Sequence, residues 1–458
     1  MRKAVTLLAG LVALYGSSLV AQSNQSSPSS IPSSSRTVAV PSAGAAPPVF
    51  AADRLARIDR LLQQYVDENR IGGAVALVLR DGQPVYERAV GWSDREAGRR
   101  MATDSVFRIA SQTKAITSVA ILSLVEEGKI GLTDPVSRFI PAFAKTTVAV
   151  RNDAAVTFVA ARRQITIRDL LTHTSGISYG TESEVAALYE DKGLGPAAGL
   201  GWYTADKNEL ICETMERLAS LPFVAQPGEA WVYGYSLDVL GCVVERASGV
   251  PLDEFVRTRV TGPLGMKDTH FFLPAGKRDR VVAVYSSGPD GRIVRAPEGS
   301  KGQGAYVDGP RRSFAGGAGL LSTAHDYARF LEMIRHGGAI GSVRILAPRT
   351  VALMTTNQVG PLHSPPVCRS ALCGDGLGFG LGFETTDRFG AKSMESAGSF
   401  GWGGAYGSVY RVDPEARLVM LLMIQLLPNA TDIRTTFSTL VYQALIEPPN
   451  RRMEPTHR

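Results

Sequence analysis

Strand-like segments lie at both ends of the folded part of this chain, and helical patterns fill the part between them. Residues 74–80 and 84–92 are apolar runs on either side of Asp81-Gly82, a dipeptide typical of a tight hairpin turn. The later strand-like segments are 376–383, where Gly alternates with larger apolar residues, 405–412 and 418–425. Pairing between the two ends would make one sheet with the middle of the chain inserted. We therefore predict an α/β fold, with a mainly antiparallel sheet from both termini, flanking helices and an inserted, mainly helical lobe.

Helical patterns account for most of the remaining apolar sequence. Residues 53–69 place apolar side chains at helical spacing, which predicts an amphipathic helix, and 431–446 is predicted to be a closing helix. Residues 111–127 are rich in Ala, Ile, Leu and Val and stop at Gly128, which predicts a buried helix. Several short helices follow, so the inserted helical lobe is placed within residues 111–308.

The first residues have the order of a secretory signal peptide. Arg2 and Lys3 precede an apolar stretch that ends in small residues at Ala21. We expect residues 1–21 to be removed and the protein to be periplasmic or secreted. An uncleaved membrane anchor is the alternative, but the apolar stretch is short for a span and contains small polar residues.

Composition divides the rest of the chain. Residues 22–50 are rich in Ser and Pro and predict a flexible linker, 51–448 have the composition of a packed domain, and 449–458 form a tail. The formal charge of +6 lies mostly in the N-terminal residues and the tail. A nearly neutral body argues against a nucleic-acid partner.

The four cysteines do not form a metal-binding pattern. Neither a Cys-x-x-Cys pair nor a His-Glu-x-x-His run occurs, so no metal and no cofactor are expected. Cys368 and Cys373 are five positions apart in a Pro- and Gly-containing loop and could close a small disulfide after export. Cys212 and Cys242 lie in helical apolar patterns and are interpreted as buried free thiols.

The chemistry of the chain centres on Ser111-Gln112-Thr113-Lys114. Residues three apart share one face of a helix, so the Lys114 ammonium could reach the Ser111 hydroxyl and help to activate it. Ser111 also falls at the predicted start of a helix, where the positive end of the dipole favours developing negative charge. A solvated helix start is the alternative, because Ser-x-x-Lys occurs by chance, but the apolar neighbours make an unpaired lysine costly.

Other nucleophile arrangements fit the sequence less well. Ser236 follows Gly234-Tyr235 but lacks the second glycine of a Gly-x-Ser-x-Gly elbow. His173 is interpreted as a structural residue at a helix end that turns at Gly176. The remaining histidines give no better catalytic triad.

The segment 107–114, which reads Phe-Arg-Ile-Ala-Ser-Gln-Thr-Lys, resembles the first active-site motif of the serine β-lactamase superfamily. The resemblance is to the branch that holds class C β-lactamases and family VIII carboxylesterases, and it extends from about 51 to 445. It implies a β-lactamase/penicillin-binding-protein-like fold and a serine hydrolase domain over 51–448. The other segments that carry it are 165–176, 227–233, 238–241, 263–266, 316–324 and 400–405.

The resemblance also implies roles for individual residues. Ser111 would form the acyl-enzyme, Lys114 would support it, and Tyr233 would act as general base. The ordinary pKa of tyrosine is near 10, so the implied role needs the nearby ammonium of Lys114 to lower it. The oxyanion hole would use the backbone N–H groups of Ser111 and Ala405.

Two departures from the lactamase pattern favour an ester substrate. The second motif reads Tyr233-Gly234-Tyr235 instead of Tyr-x-Asn, and the third reads Trp402-Gly403-Gly404 instead of Lys-Thr-Gly. An apolar wall without the usual cation suits a neutral acyl group better than an anionic β-lactam. The predicted substrate-binding residues are Tyr235, Trp402, Gly403 and Gly404.

These observations predict a serine carboxylesterase that acts on a small-molecule ester or amide. A β-lactamase or D-amino-acid peptidase of the same fold is the first alternative. A binding protein without catalysis is the second, and the joint presence of Ser111, Lys114 and Tyr233 argues against it.

Overall fold

The computed structural model describes residues 49–152, 155–195, 206–299, 302–368 and 370–447. The predicted signal peptide, the tail and nearly all of the predicted linker lie outside the described residues. Within them, no helix is both long and apolar enough to cross a membrane.

A single antiparallel sheet joins the two ends of the domain, as the sequence predicts. It has eight strands, in the order β12-β13-β14-β15-β16-β1-β2-β3, and the pairing of β1 with β16 connects the halves. The remaining strands form two-stranded pairs. The strands of the described residues are β1 Gly73–Arg80, β2 Gln83–Asp94, β3 Arg99–Arg100, β4 Phe107–Arg108, β5 Thr147–Asn152, β6 Ala155–Ala160, β7 Tyr285–Ser287, β8 Ile293–Arg295, β9 Leu321–Ser322, β10 Ala339–Ile340, β11 Val343–Arg344, β12 Leu377–Phe379, β13 Glu384–Thr386, β14 Phe400–Gly403, β15 Val409–Asp413 and β16 Leu418–Met423.

Helices lie on both faces of this sheet and make up most of the inserted lobe. The α-helices of the described residues are α1 Ala52–Asp67, α2 Thr113–Glu126, α3 Ile167–Leu171, α4 Ala186–Asp191, α5 Ile211–Leu218, α6 Ser236–Ser248, α7 Leu252–Val256, α8 Ala324–Arg335, α9 Pro348–Met354 and α10 Ile433–Ala444. Helices α1 and α10 pack together on one face, and α8 packs against β1 and β16 on the other.

Strand β1 is buried along its whole length because both of its faces are covered. Val75, Leu77 and Leu79 point into the larger core that also contains α2 and the helical lobe. Ala74 and Val78 point into the smaller core under α1 and α10. This explains why the sequence of β1 is a continuous apolar run and not an alternating one.

Helix α2 is the centre of the larger core. All of its residues from Thr113 to Leu124 are buried, as expected for a helix that is apolar on every side. It ends at Glu126, and Gly128 follows in the left-handed region with φ 70°. The prediction of a buried helix stopped by Gly128 is confirmed.

The strand predictions near the C-terminus need two corrections. The segment 376–383 forms a strand only as far as Phe379, because Gly380 turns back and its N–H donates to the Phe383 carbonyl at 2.8 Å. Residues 405–408 form a turn, so β15 starts at Val409. The sequence analysis also did not find the β5–β6 hairpin in the helical lobe.

The cysteine predictions are half right. Cys368 and Cys373 form the predicted disulfide. The interpretation of Cys212 and Cys242 as free thiols is wrong, because the structure joins them in a disulfide with their Cα atoms 5.0 Å apart. Cys212 lies on α5 and Cys242 on α6, and these two helices pack together, a contact that periodicity within each helix does not reveal.

Candidate active site

Ser111 lies in a single 3₁₀ turn, Ala110–Gln112, immediately before α2. The sequence predicts that Ser111 begins the helix, but α2 starts two residues later at Thr113. Ala110 has φ 44°, a left-handed conformation that is strained for a residue with a side chain. This turn presents the Ser111 side chain to a cavity at the N-terminal end of a buried helix.

The Lys114 ammonium has three partners, and one of them is Ser111. Its Nζ lies 3.2 Å from the Ser111 hydroxyl oxygen, 2.9 Å from the Tyr179 hydroxyl and 2.8 Å from the Gly317 carbonyl oxygen. An ammonium group has three hydrogens to donate, so these contacts use its full capacity. The side chain is 2% exposed, and the contacts explain how a lysine can be buried there.

Asp238, on the first turn of α6, supports the Lys114 ammonium indirectly, through Gly317. Its carboxylate accepts a hydrogen bond from the Gly317 N–H at 3.0 Å, which holds the loop whose carbonyl group contacts Lys114. Burial raises the pKa of Asp238 to about 6, against the opposing effect of the Lys114 charge. A Cβ on Gly317 would collide with this carboxylate, so glycine is required there.

Tyr233 lies beside Lys114 and contacts the third motif. The Lys114 Nζ lies 4.7 Å from the centre of the Tyr233 ring, and the Trp402 indole donates to the Tyr233 hydroxyl at 3.0 Å. The His173 carbonyl accepts from the Val232 N–H at 2.8 Å, and the His173 ring lies 4.7 Å from the Tyr233 ring. Burial holds the pKa of His173 well below its usual range, so its ring packs as a neutral group.

The third motif packs against the Ser111 turn. A Cβ on Gly404 would lie 2.6 Å from the Ile109 carbonyl oxygen, so only glycine allows this close approach. Ala405 follows directly and lines the same cavity as Ser111. Within the described ranges, neither the Ser111 N–H nor the Ala405 N–H donates a hydrogen bond. Both groups are therefore available for the oxyanion role that the resemblance implies.

The cavity has a volume of about 710 Å³ and brings most of the predicted site residues together. Lys114 lies behind the cavity wall and contacts two residues that line it, Ser111 and Tyr179. The predicted site residues that line it are Ser111, Tyr233, Trp402, Gly403, Gly404 and Ala405. In the part of the chain that the structure describes, no group of three or more His, Cys, Asp or Glu side chains is placed to hold a metal ion.

Tyr235 is the exception among the predicted substrate-binding residues. It is 3% exposed, its hydroxyl donates to the Leu194 carbonyl at 2.6 Å, and it does not line the cavity. Its ring packs against Tyr179 with the centres 4.8 Å apart. The structure therefore places Tyr235 in the wall behind the site, where it supports a residue that the substrate can reach.

Two residues of the site were not identified from the sequence. Tyr179 contacts Lys114 from a position 65 residues away, and it lies in an irregular segment without a periodic pattern. Arg434, at the start of α10, lines the cavity next to Gly403. Arg434 belongs to the predicted closing helix, and neither its segment nor that of Tyr179 carries a sequence signal that points to the active site, so only the folded geometry shows them.

The family model "Beta-lactamase" matches residues 58–442. The chain belongs to the β-lactamase family. Esterase EstB of Burkholderia gladioli is 37% identical over 389 residues, which are 81% of this chain and 91% of that protein. Lovastatin esterase of Penicillium rubens is 29% identical and covers 84% of this chain and 98% of its own length.

Solved structures agree with this assignment. The structure of EstCE1, described as a hydrolase with promiscuous acyltransferase activity, has a TM-score of 0.69 and 27% identity. The match covers 86% of this chain and 98% of that one. The protein is therefore a serine hydrolase of the β-lactamase family that is related to carboxylesterases.

Proposed function

We propose that the protein is a carboxylesterase that works through an acyl-serine intermediate on Ser111. The observation that carries the proposal is the hydrogen bond from the buried Lys114 ammonium to the Ser111 hydroxyl, on the wall of a cavity that Tyr233 also lines. A serine hydroxyl is a weak nucleophile at neutral pH and needs such a neighbour.

In the proposed reaction, Tyr233 acts as a phenolate base: the Ser111 oxygen attacks the ester carbonyl carbon while its proton passes to the Tyr233 phenolate oxygen. The tetrahedral intermediate collapses, the bond to the alcohol oxygen breaks, and Tyr233 returns the proton to the leaving alcohol. Water then attacks the acyl-serine by the same route and releases the acid. The Lys114 ammonium donates to the Ser111 oxygen and lies over the Tyr233 ring, and the Ser111 and Ala405 N–H groups stabilise the oxyanion.

The third motif supports an ester as substrate. Trp402 is 9% exposed, and its indole N–H is occupied by the Tyr233 hydroxyl. It therefore offers the substrate an apolar surface at the place where a lactamase motif has a lysine. The names of the two esterases in the comparison agree with this substrate class.

Rates on two chromogenic substrates test the proposal. We expect the purified protein to cleave a short-chain aryl ester with a kcat/KM about 100-fold or more above that for a chromogenic cephalosporin, as a site matched to one acyl group discriminates strongly. The two rates should be measured side by side at the same pH. Faster cleavage of the cephalosporin than of any ester would contradict the proposal.

The Tyr233 hydroxyl is predicted to be needed for turnover. Tyr233→Phe keeps the ring next to Lys114 and His173 but removes the proton acceptor, so kcat should fall by about 10²- to 10³-fold. Tyr86→Phe is a matched control, because the Tyr86 hydroxyl contacts Asp59 at 2.9 Å outside the cavity. Unchanged turnover in Tyr233→Phe would exclude it as the base.

Hydrolysis of β-lactams is the second candidate, and Arg434 is the observation that favours it. If alanine replaced Gly403, its Cβ would lie 3.3 Å from an Arg434 guanidinium nitrogen. Arg434 is exposed and lines the cavity, and the nearby carboxylate of Asp432 pairs with Arg70. A β-lactam carboxylate could therefore find a cation close to the third motif, although the motif itself lacks lysine.

Arg434→Ala separates the two activities. We expect it to lower kcat/KM for an anionic cephalosporin by about 10-fold, since it removes the cation that would bind the carboxylate. Hydrolysis of a neutral acetate ester should change less than about 2-fold, because that substrate carries no negative charge for the guanidinium to bind. An equal loss on both substrates would show that Arg434 does not act through substrate charge.

We also propose that the protein is exported, with residues 1–21 as its signal peptide. The two disulfides fit an oxidising compartment. Expression of the full chain with its own N-terminus, followed by cell fractionation and N-terminal sequencing of the active protein, tests this. We expect a new N-terminus close to Gln22 in the exported fraction, and an intact Met1 in the cytoplasm would contradict the proposal.

A further inference from the structure

The active-site cavity continues past Ser111 to the opposite face of the sheet. Trp402 and Tyr410 point to the Ser111 side, where Trp402 meets Tyr233. Gly403 and Arg411 alternate with them and therefore face α10. Because Arg411 and residues of α10 line the same cavity as Ser111, the cavity includes space on both faces.

An unpaired stretch of β14 makes this continuation possible. Strand β13 pairs with β14 only through Phe400 and Gly401, and in the described structure Trp402 and Gly403 have no partner on that side. Gly401 lies opposite Arg411 on β15, and a Cβ there would lie 2.4 Å from the Tyr410 carbonyl oxygen and 3.0 Å from the Arg411 side chain, so glycine lets the two strands approach closely. A substrate held along this edge can therefore extend from the reacting serine toward Arg411.

The far end of the cavity is lined by charged groups, which we call the polar chamber: Glu384, Glu395 and Arg411, which are buried, and Lys392, which is exposed. The Arg411 guanidinium donates to Glu384 at 2.8 Å and lies 3.5 Å from Glu395, and Lys392 donates to Glu384 at 2.6 Å. Arg411 is 5% exposed, and Glu384 and Glu395 are 2% exposed.

Two atoms of the polar chamber are unsatisfied. The Arg411 Nη1 donor and the Glu395 Oε2 acceptor are buried and have no hydrogen-bond partner among the described residues. Arg411 and Glu395 both line the cavity, and buried polar atoms in native proteins are nearly always paired with protein, ligand or ordered water. A ligand group in the chamber that carries both an acceptor and a donor would pair with these two atoms. The charges already balance, with two carboxylates facing two cations, so a further net charge would be unfavourable.

We propose that the polar chamber is a subsite for the remote end of the substrate, and that this end carries a neutral group with both a hydrogen-bond donor and an acceptor, such as a primary carboxamide. Its carbonyl oxygen would accept from Arg411, and its N–H would donate to Glu395. This inference rests on the proposed esterase function and names the class of ester that the site takes.

Matched pairs of esters test the subsite from both sides of the scissile bond. In the first pair, an aryl ester of adipic acid monoamide is compared with its isostere that ends in an isopropyl group. In the second pair, the acyl group is acetyl, and the alcohol carries a chain that ends in either the carboxamide or the isopropyl group. We expect one of the two pairs to show a kcat/KM about 10-fold or more higher for the amide, because the apolar isostere leaves the buried groups unpaired.

Glu395→Gln keeps the shape of the side chain and is expected to reduce that preference to less than about 3-fold, because an amide competes for the same donor and acceptor. Glu415→Gln is the control, since Glu415 is exposed on the turn between β15 and β16, outside this cavity. If Glu395→Gln folds poorly, Thr435→Trp narrows the cavity from the exposed side of α10. It should slow the long amide ester and leave a simple aryl acetate unchanged.

Two results would overturn the subsite. Equal rates within both pairs, with aryl acetate still cleaved, would mean that the chamber holds only solvent, and the esterase function would stand. A preference for the free carboxylate of the adipate monoester over its amide would show that the chamber takes an anion. Failure to cleave any ester would instead reject the proposed function, and the subsite with it.

Discussion

Ser111→Ala is expected to reduce kcat/KM for short-chain aryl esters by about 10⁴-fold or more, because it removes the atom that forms the covalent intermediate. The oxyanion donors and the cavity remain, so a small residual rate above the uncatalysed reaction should persist. The Ser111 side chain is small and makes one described side-chain contact, with Lys114. The variant should therefore fold normally and bind substrate with little change in affinity.

Ser236→Ala is the matched control for this variant. Ser236 is a buried serine at the start of α6, and its hydroxyl is 2.9 Å from that of Ser175. Ser236 also belongs to Gly234-Tyr235-Ser236, the segment of the sequence that comes nearest to a Gly-x-Ser-x-Gly nucleophile elbow. Activity that survives Ser111→Ala but disappears in Ser236→Ala would transfer the nucleophile to Ser236 and contradict the account.

Lys114→Met is expected to lower kcat by about 10³-fold with a smaller effect on KM, as loss of a group that acts on proton transfer would. Methionine has a similar length but cannot donate to Ser111, Tyr179 or the Gly317 carbonyl. The positive charge that opposes the raised pKa of Asp238 is also lost, so this buried carboxyl should take up a proton closer to neutral pH.

The control for Lys114→Met is Lys129→Met, which changes an exposed lysine that follows α2 and pairs with Glu127 at 2.9 Å. Steady-state kinetics on an aryl acetate and thermal unfolding should be measured for both variants. A loss of activity that merely follows a loss of folded protein would reduce Lys114 to a structural role. A folded, fully active Lys114→Met would contradict the proposed mechanism.

The sequence predicts the fold well where local patterns reflect burial. The continuous apolar run of β1 and the Asp81-Gly82 turn predict the first hairpin, with φ of 52° and 75° at the two turn residues. The apolar sequence of α2 predicts a helix at the centre of the core. In these cases the apolar pattern of the segment itself indicates how much of it is buried, although elements remote in sequence cover it.

Long-range contacts account for what sequence reasoning missed. The Cys212–Cys242 disulfide requires α5 and α6 to be neighbours, and the Tyr179 contact requires a loop to fold over Lys114. The β12 segment alternates as a strand should, yet Gly380 ends it with a turn. None of these features has a periodic signal of its own.

The candidate site also contains residues that the sequence predicts and residues that only the folded structure reveals. The Ser-x-x-Lys spacing supplied Ser111 and Lys114, and the resemblance added Tyr233. In the structure Ser111 and Tyr233 line one cavity, and Lys114 contacts both of them from behind. The resemblance did not supply Arg434, because in sequence this residue is an ordinary basic position near the start of a helix. It also placed Tyr235 with the substrate, whereas packing against Tyr179 holds it in the wall.

The identity of the residue that becomes acylated is the central claim, and mass spectrometry measures it directly. The wild type and Ser111→Ala should each be treated with a fluorophosphonate probe, digested, and mapped for the modified peptide. The account predicts one adduct per chain, on the peptide that contains Ser111, with none in Ser111→Ala and loss of esterase activity in step with labelling. An adduct on any other residue, or full esterase activity in the labelled protein, would contradict it.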